Sequence, residues 1–408
     1  MPTSNANRRF AKAGIPWFHH GMTRIYLDHN ATSPLRPEAR AAMMAALDAV
    51  GNASSVHGEG RSAHRRIEDA RAAVAALVAG DPKLVTFTAG GTEANDTVLT
   101  PEWSAGGKPR RCDLLFASAI EHPSVLAGGR FAADAIRLIP VHETGVVDTA
   151  ALRAMLLQAA REEKRALVSV MVANNETGVL QPISEVARVA HEFGAIVHSD
   201  AVQAAGRIPL DIAGLGVDLL TLSAHKIGGP QGAGAIVRAS DELTFAPLMT
   251  GGGQERRLRA GTENVAAIAG FGAAATGAVA DLAKVATWTP WRDRLAATVG
   301  AGTKATVFGA DVERLPQTLC FAVPGLPAET LLIALDLEGV AVSSGSACSS
   351  GKVAASHVLG AMGVPAGLAK CAVRLSLGWD SKESDLDSFA TAWARVLSHI
   401  APGEIQAA

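Results

Sequence analysis

Three residues at the end of one hydrophobic run are the strongest candidates for covalent chemistry in this chain of 408 residues: Ser223, His225 and Lys226. The run before them predicts a buried strand, and Gly228-Gly229-Pro230 predicts a turn directly after them. A lysine that is partly desolvated has a lowered pKa and can form a Schiff base with a carbonyl. A surface lysine that merely follows a buried strand is the alternative, so Lys226 has to be judged together with its neighbours.

A carboxylate and an amide, Asp200 and Gln203, follow the preceding predicted strand. Pyridoxal phosphate (PLP) enzymes need a lysine of this kind together with a carboxylate for the pyridinium nitrogen. Because Asp200 and Gln203 lie three residues apart at a strand-to-helix junction, both can face one ring, the carboxylate at its nitrogen and the amide at its oxygen. Asp200 can also be explained as an ordinary helix cap.

Two glycine-bearing segments are candidates for phosphate binding. Residues 88–95 predict a strand, a glycine turn and a helix, so that the backbone at Gly91 and the Thr92 hydroxyl can hold a phosphate at the helix N-terminus. No Gly-Lys-Ser/Thr follows, which excludes a Walker loop, and a plain strand-to-helix turn is the alternative. The second segment, residues 251–264, is either a solvated basic loop or an arm that brings Thr262 to a phosphate.

Three further polar residues lie at or beyond predicted strands. His122 could stack on a cofactor ring and move protons near neutral pH, although a buried structural histidine is an open alternative. Asn175 could donate to a carboxylate or a phenolate, or simply cap a loop. Arg374 interrupts an apolar strand, and a buried arginine needs a carboxylate partner from the protein or from a substrate.

The four cysteines differ in their surroundings. Cys348 lies among serines and glycines in residues 343–351, whereas Cys112, Cys320 and Cys371 lie in apolar or strand-like surroundings and are predicted to be buried in the core. An accessible thiol on a flexible segment indicates a nucleophile that travels. The cysteines contain no CxxC pair, which indicates free thiols in a reducing compartment, hence a cytoplasmic protein, and argues against a disulfide framework or a metal site.

The composition is typical of a compact globular enzyme, with 48% hydrophobic and 19% charged residues. Lys and Arg number 37 against 39 Asp and Glu, so no nucleic-acid or membrane partner is indicated. The uncharged run 265–280 contains glycines and a threonine and predicts a packed helix rather than a membrane span. Residues 1–22 are basic and are expected to be a disordered N-terminal extension.

Short apolar strands alternate with helical patterns through the first two thirds of the chain. This alternation predicts an α/β fold, with a large PLP-binding domain (35–276) whose mostly parallel seven-stranded sheet is covered by helices. A smaller α/β domain would combine residues 23–34 with 277–408. The predicted sheet strands are Leu84–Thr88, Leu114–Ser118, Ile136–Val141, Ala166–Val172, Ile196–Ser199, Leu219–Ser223 and Gly234–Val237.

Taken in order, these motifs make the chain resemble the NifS/IscS-type cysteine desulfurases, within the class V aminotransferase family of fold type I PLP enzymes. The resemblance runs from about Ile25 to Gly378, nearly the whole chain apart from its ends. Three segments carry it together: Tyr26-Leu27-Asp28-His29-Asn30-Ala31-Thr32, Ala224-His225-Lys226 and Gly345-Ser346-Ala347-Cys348-Ser349-Ser350.

The resemblance implies a role for each candidate residue. It implies PLP as the cofactor and a homodimer as the assembly. At the cofactor ring, Lys226 would be the Schiff-base lysine, His122 would stack on the ring, and Asp200 and Gln203 would contact the ring nitrogen and the ring oxygen. The phosphate would be held by Gly91, Thr92, Ser223 and His225, together with Thr262 of the partner subunit. Asn30, Asn175 and Arg374 would bind the substrate carboxylate, and Cys348 would accept the sulfur.

The implied reaction converts L-cysteine to L-alanine and leaves a persulfide on Cys348 for an acceptor protein such as an iron–sulfur scaffold. A selenocysteine lyase or another class V aminotransferase is the alternative within the family. A PLP-free thiol hydrolase that uses Cys348 and His357, or a scaffold without catalysis, are alternatives outside it. The chain ends soon after Leu397-Ser398-His399 and is expected to lack the C-terminal docking extension of housekeeping IscS-type members, so the acceptor stays open.

Overall fold

The structure is a computed structural model that describes residues 24–345 and 356–400, so that Cys348 and the N-terminal extension lie outside the described residues. Within those ranges the strands, in chain order, are β1 Ile25–Tyr26, β2 Val85–Thr88, β3 Glu102–Ala105, β4 Lys108–Arg111, β5 Leu114–Ser118, β6 Ile136–Ile139, β7 Ala166–Ser169, β8 Ile196–Asp200, β9 Leu219–Ser223, β10 Gly234–Arg238, β11 Leu243–Phe245, β12 Thr306–Val307, β13 Thr318–Ala322, β14 Val340–Ala341 and β15 Ala372–Ser376.

The same ranges hold α-helices and short 3-10 turns. The α-helices are α1 Pro37–Leu47, α2 Gly58–Ala76, α3 Gly91–Val98, α4 Pro123–Leu126, α5 Thr149–Arg161, α6 Ile183–Glu192, α7 Ile212–Leu215, α8 Val265–Asp281, α9 Val285–Gly300, α10 Ala328–Leu337, α11 His357–Ala361, α12 Ala366–Ala369 and α13 Glu383–Ile400. The 3-10 turns are Pro82–Leu84, Ala133–Ala135, Ala224–Ile227, Gln254–Arg257 and Leu282–Lys284.

A seven-stranded sheet forms the centre of the molecule, in the order β2-β10-β9-β8-β7-β5-β6. The neighbours from β9 to β6 pair in parallel, and β10 runs antiparallel to both β9 and β2. Strands β5, β7, β8 and β9 are buried at every residue, as expected for a sheet covered on both faces. The prediction of a mostly parallel seven-stranded sheet is confirmed.

Successive side chains of each strand point to opposite faces of this sheet, so each face has its own core. One face packs in a large apolar cluster that includes Val168, Val197 and Leu220, together with residues of α2, α6 and α8. The other face packs against Ala94 and Val98 of α3. Helix α3 therefore covers the central strands on the side that carries the polar residues Ser169, His198 and Thr221.

Helix α8 and the turn after it, Val265–Lys284, are long and apolar enough by length and composition to cross a membrane. Half of the apolar window is buried within the protein, and Phe271 and Ala274 are completely inaccessible. The helix packs against α1 and α2. Its contact with α2 is too close for a side chain at Gly272, because an added Cβ would lie only 2.5 Å from Ala70 Cα. These contacts are those of a core helix, in agreement with the prediction.

The C-terminal part of the chain forms a second unit with its own core. Strands β12, β13 and β15 form an antiparallel sheet, and β1 pairs in parallel with β14. Helices α9, α10 and α13 cover this unit, whose core includes Phe321, Phe389 and Trp393. Residues 24–34 thus join the C-terminal unit through β1, and the predicted domain boundary at residue 276 falls inside α8.

Two features differ from the sequence-based expectation. Residues 102–111 form the hairpin β3–β4, which pairs with β11 in a three-stranded sheet that was not predicted. The segment Lys108–Arg111 has no apolar alternation, so its strand forms because β3 offers a pairing edge. The sequence pattern also predicts that Ser62 caps helix α2, but the helix begins four residues before it, at Gly58, with the His57 ring accepting from Gly60 N.

Candidate active site

A cavity of about 380 Å³ opens at the carboxyl ends of the central strands, where ligands of α/β proteins collect. All predicted site residues in the described part of the chain line this cavity, with the exception of Thr262. They are Asn30, Gly91, Thr92, His122, Asn175, Asp200, Gln203, Ser223, His225, Lys226 and Arg374. The residues that follow the central strands meet here because those strands end at the same edge of the sheet, whereas Asn30 and Arg374 come from the C-terminal unit, through the loop after β1 and strand β15.

Lys226 lies in the 3-10 turn that directly follows β9. Its Nζ donates to the carbonyl oxygens of Asn30 at 2.6 Å and Ala31 at 2.8 Å. The loop after β1 is itself hydrogen-bonded to the 3-10 turn that carries Lys226, since Ser33 N donates to His225 O at 2.9 Å. The loop after β1 therefore holds the amine at the wall of the cavity, as a nucleophilic lysine requires.

Asp200 ends β8 and is buried, with 6% of its surface exposed. Its Oδ1 accepts from Val202 N and its Oδ2 accepts from the Asn95 side chain, both at 2.9 Å. Residues 201–211 form turns and no helix, so the strand-to-helix junction and the helix cap predicted as the alternative for Asp200 are wrong, and the bond to Val202 closes a turn. The carboxylate also lines the cavity, so this turn bond is compatible with a role at a ring nitrogen.

His122 lies at the N-terminus of α4, just past β5. Its Nδ1 is 2.8 Å from Ser124 Oγ and accepts from Ser124 N at 3.2 Å. Burial lowers the pKa of His122, and Lys226 and His357 lower it further, while Asp200 acts in the opposite direction. The imidazole is therefore neutral at pH 7, and it can exchange a proton with a group in the cavity.

Two buried amide oxygens at the cavity have no hydrogen-bond partner among residues 24–345 and 356–400. They are Gln203 Oε1 and Asn30 Oδ1. Gln203 Nε2 donates to Asn30 O at 3.0 Å, and Asn30 Nδ2 donates to Thr318 Oγ1 at 2.9 Å. Because buried polar atoms are rarely left unpaired, these two oxygens indicate a polar occupant of the cavity.

The predicted phosphate residues surround one corner of the cavity. Helix α3 begins at Gly91, where an added Cβ would lie 3.2 Å from Val202 Cγ2 and 3.4 Å from Ser223 Cβ. The glycine thus leaves the space in which an anion could approach the helix N-terminus. His225 Nδ1 forms a hydrogen bond with Thr32 Oγ1 at 3.1 Å. Burial lowers the pKa of His225, and the nearby charge of Lys226 lowers it further, to about 4.

Arg374 lies on β15 and is nearly inaccessible. Its guanidinium pairs with Asp28 Oδ1 at 2.7 Å and donates to Asn175 O at 3.0 Å. Asp28 therefore supplies the protein carboxylate that was one of the two expected partners. Arg374 Nε has no hydrogen-bond partner in the described part of the chain, and the residue lines the cavity. Arg374 can therefore bind a substrate carboxylate while it keeps its ion pair with Asp28.

Thr262 does not reach the cavity of its own chain. It lines a second depression together with Arg259 and Glu263, and Arg259 is paired there with Glu93 at 2.9 Å. The structure holds one copy of the chain, so the prediction that Thr262 serves the partner subunit is compatible with this position and stays a prediction.

The segment that carries Thr262 starts with a strained turn. Glu255, Arg256 and Arg257 all have φ between 46° and 66°, a left-handed conformation that costs energy in residues other than glycine. Glu255 is held by Arg71, with nitrogen–oxygen distances of 2.7 and 2.9 Å, and it accepts from Phe87 N at 2.9 Å. This buried ion pair ties the turn to α2 and β2.

Asn95 and Ser124 line the cavity but were not recognised as site residues from the sequence. Asn95 Nδ2 donates to Asp200 Oδ2 and to Ser124 Oγ, both at 2.9 Å. Asn95 lies four residues after Gly91, so helical periodicity placed it on the same face of α3. That spacing was the available signal. The outcome for the other cysteines is as predicted, since Cys112, Cys320 and Cys371 are buried free thiols.

Comparison with known proteins gives one consistent family. A model described as "Aminotransferase class-V" matches residues 25–389. An "IscS-like cysteine desulfurase" from Mycobacterium tuberculosis (strain ATCC 25618 / H37Rv) is 41% identical over 372 residues, which cover 89% of this chain and 93% of that protein. A "Cysteine desulfurase" from Cereibacter sphaeroides is 41% identical over 380 residues, covering 90% and 94%.

Solved structures agree with the sequence relatives. A NifS-like protein from Rickettsia africae ESF-5 has a TM-score of 0.82 at 35% identity and covers 92% of this chain and 100% of its own. A structure described as "SspA in complex with cysteine" has a TM-score of 0.70 at 25% identity, covering 87% and 99%. This chain therefore belongs to the class V aminotransferase family and, within it, to the IscS- and NifS-like cysteine desulfurases.

Proposed function

We propose that this chain is a PLP-dependent cysteine desulfurase that converts L-cysteine to L-alanine and keeps the sulfur as a persulfide on Cys348. One observation carries the proposal: the Lys226 amine, the Asp200 carboxylate and the Gln203 amide line a single cavity, in a chain whose relatives are named cysteine desulfurases. An amine, a carboxylate and an amide around one cavity are the set that a PLP ring needs.

The residues present fit PLP. The unpartnered Gln203 Oε1 and the space next to Gly91 match a ligand with a polar ring and an anionic group. Asp200 would hold the ring nitrogen, Gln203 the ring oxygen, and Gly91, Thr92, Ser223 and His225 the phosphate. When bound, PLP supplies an electron sink for negative charge at the Cα of an amino acid.

The chain's own side chains supply binding and proton transfer. Arg374 and Asn175 lie side by side, and we assign them to the substrate carboxylate because a guanidinium fork matches a carboxylate in geometry and charge. Lys226 Nζ, which lies at the cavity wall, would take the proton from the substrate Cα and return it. The neutral imidazole of His122 would pass protons between the substrate and Lys226.

The sulfur transfer itself is assigned to Cys348. The thiolate of Cys348 would attack the substrate sulfur, forming a sulfur–sulfur bond while the bond between that sulfur and the substrate carbon breaks. Gly345, the last described residue before this segment, lines the cavity, so the chain that leads to Cys348 starts at the site. Alanine would leave, and the persulfide sulfur would pass to an acceptor.

The partners and the compartment are part of the proposal. A homodimer is supported by Thr262, which lies outside the cavity of its own chain. An acceptor protein, such as an iron–sulfur scaffold, is supported by the chemistry, because a persulfide needs a second thiol or a cluster site to accept its sulfur. Free, buried thiols at Cys112, Cys320 and Cys371 support a reducing, cytoplasmic setting.

The direct test supplies L-cysteine to the purified protein with PLP and a reducing thiol and measures alanine and sulfide. The proposal predicts equal amounts of both products from the wild type and none from Lys226→Ala. The exposed Lys370 at the end of α12 gives the matched control, and Lys370→Ala should retain wild-type turnover. Turnover that persists in Lys226→Ala would exclude a lysine-bound cofactor.

A further inference from the structure

A continuous row of buried polar side chains lies on the face of the central sheet behind the cavity. Ser169 on β7 pairs in register with His198 on β8, and Asp200 pairs with Thr221 on β9. Because side chains alternate along a strand, all four point to the face covered by α3. Asn95 on α3 completes the row, and Ser169, His198, Thr221 and Asn95 are at most 1% exposed.

The distances form a chain of hydrogen bonds. Ser169 Oγ lies 2.9 Å from His198 Nδ1, and His198 Nε2 lies 3.0 Å from Thr221 Oγ1. Thr221 Oγ1 donates to Asn95 Oδ1 over 2.6 Å. Asn95 Nδ2 then donates to Asp200 Oδ2 and to Ser124 Oγ, both at 2.9 Å.

The direction of every bond in this chain follows from the chemistry of its members. A carboxylate only accepts, so Asn95 must present its NH₂ to Asp200 and its carbonyl oxygen to Thr221. The single hydroxyl proton of Thr221 then goes to Asn95, and the Thr221 oxygen accepts from His198. Burial lowers the pKa of His198 to about 4, so its ring is neutral, with the proton on Nε2 and with Nδ1 accepting from Ser169.

The same logic continues to the other side of Asn95. Ser124 Oγ accepts from Asn95, so its own proton is available for His122 Nδ1 at 2.8 Å. The backbone N–H of Ser124 also points to Nδ1, at 3.2 Å. An imidazole nitrogen that accepts two hydrogen bonds carries no proton, and a neutral ring must then carry its proton on Nε2.

We propose that Asn95, oriented by Thr221 and His198, is a positioning residue that fixes the Asp200 carboxylate and, through Ser124, the Nε2–H tautomer of His122. A single amide thus sets two groups that the proposed function places around one cofactor ring, and the inference rests on that function for its catalytic meaning. His122 then meets the cavity as a proton donor. If the amide turned over, the contact with Asp200 would be lost, and the Ser124 proton could go to the amide oxygen instead of to His122.

The test uses ¹⁵N-histidine in the full-length protein as purified and reads the tautomers by long-range ¹H–¹⁵N correlation. A His122→Asn variant assigns the His122 signals among the 12 histidines of the chain. The wild type should show the Nε2–H form at His122 and at His198. The opposite tautomer at either ring would overturn the proposal.

Thr221→Val is the decisive variant, because it removes the hydroxyl at nearly constant volume and leaves the buried Asn95 Oδ1 without its donor, so that the amide is no longer held from that side. The His122 signals should shift, and kcat/KM for L-cysteine should fall by about tenfold. Thr221→Ser restores the hydroxyl and should restore both readouts. Thr86→Val, a buried threonine of β2 outside the chain of bonds, controls for loss of any hydroxyl from the sheet and should change neither.

Ser124→Ala covers the case in which Thr221→Val does not fold. It should alter the His122 signals and leave those of His198 unchanged, because it breaks only the last link. Unchanged His122 signals in the folded variants would overturn the proposal. The tautomer is read without turnover, so a protein with the predicted tautomers but no activity on L-cysteine would refute the proposed function and leave this inference standing.

Discussion

At the residue scale, burial decides which side chains are charged in the cavity. Burial lowers the pKa of His122 and His225, which line the cavity, and of His198 behind it, so the three imidazoles are neutral at pH 7. Arg374 supplies a guanidinium among the residues that line the cavity. Neutral imidazoles next to it can exchange protons in the cavity without adding positive charge.

Arg374 should be the main determinant of substrate carboxylate binding. Arg374→Lys keeps the positive charge but loses the planar fork, so we expect KM for L-cysteine to rise by about tenfold, with a smaller change in kcat. Steady-state kinetics check this. Arg395 lies on α13 and forms an exposed ion pair with Glu338, so Arg395→Lys is the control and should behave as wild type. An unchanged KM in Arg374→Lys would remove Arg374 from the substrate site.

Glu121 should make the stability of the protein fall with rising pH. Complete burial raises its pKa well above the ordinary 4.5, and Asp200 raises it further, whereas Met171 N lowers it. When folding raises the pKa of a carboxyl group, the protonated group contributes fully to the stability of the folded state below its ordinary pKa of 4.5. That contribution to stability is lost as the pH rises through the pKa of the folded state.

Glu121→Gln removes this titration while keeping an oxygen that can accept from Met171 N. The variant should lose less stability than the wild type as the pH rises above the ordinary pKa of 4.5, as measured by urea unfolding at a series of pH values. Glu143→Gln, at an exposed carboxyl before α5, should retain the wild-type pH dependence. Parallel curves for wild type and Glu121→Gln would show that Glu121 is ionised throughout.

At the element scale, the strained turn 255–257 depends on one buried ion pair. Glu255 and Arg71 are both nearly inaccessible, and Glu255 also accepts from the backbone of β2. Left-handed residues persist only where the surroundings over-determine them. The pair therefore holds the start of the segment that leads to Thr262, in addition to its contribution to packing.

Glu255→Gln should lower the free energy of unfolding by about 3 kcal/mol, because it removes the buried carboxylate that pairs with the Arg71 guanidinium. Glu68 bonds to the same arginine at 3.0 Å but is partly exposed, so Glu68→Gln should cost only about 0.5 kcal/mol. Urea unfolding of both variants measures the difference. Equal costs would contradict the assignment of the turn to the Arg71–Glu255 pair.

At the scale of the whole molecule, Thr262 is the residue that requires a second copy of the chain under the proposed function. A mixture of Lys226→Ala and Thr262→Val chains tests this by subunit exchange. If Thr262 acts in the partner's cavity, each mixed dimer has one complete site, and random exchange should restore about a quarter of wild-type activity. Restored activity would be absent if Thr262 served its own chain.

The sequence predicted the parts of the fold that depend on local pattern. Lys226, Asp200 and His122 follow apolar runs, and because strand ends meet at one edge, their meeting could be foreseen. The link from His198 through Thr221 to Asn95 could not, since strand order and register bring these residues together and no short spacing encodes them. The turn at Glu255 was also beyond prediction, because its left-handed residues are not glycines and Arg71 lies on a mostly polar helix.

The central claim is that sulfur from L-cysteine is transferred to Cys348 as alanine leaves. The most direct measurement is a single turnover without reducing thiol, with alanine quantified and the Cys348 peptide examined by mass spectrometry. The account predicts one alanine per active site and one added sulfur atom on Cys348, both lost in Cys348→Ala. Undiminished alanine formation in Cys348→Ala, or a Cys348 peptide without added sulfur, would contradict it and favour a lyase that releases the sulfur directly.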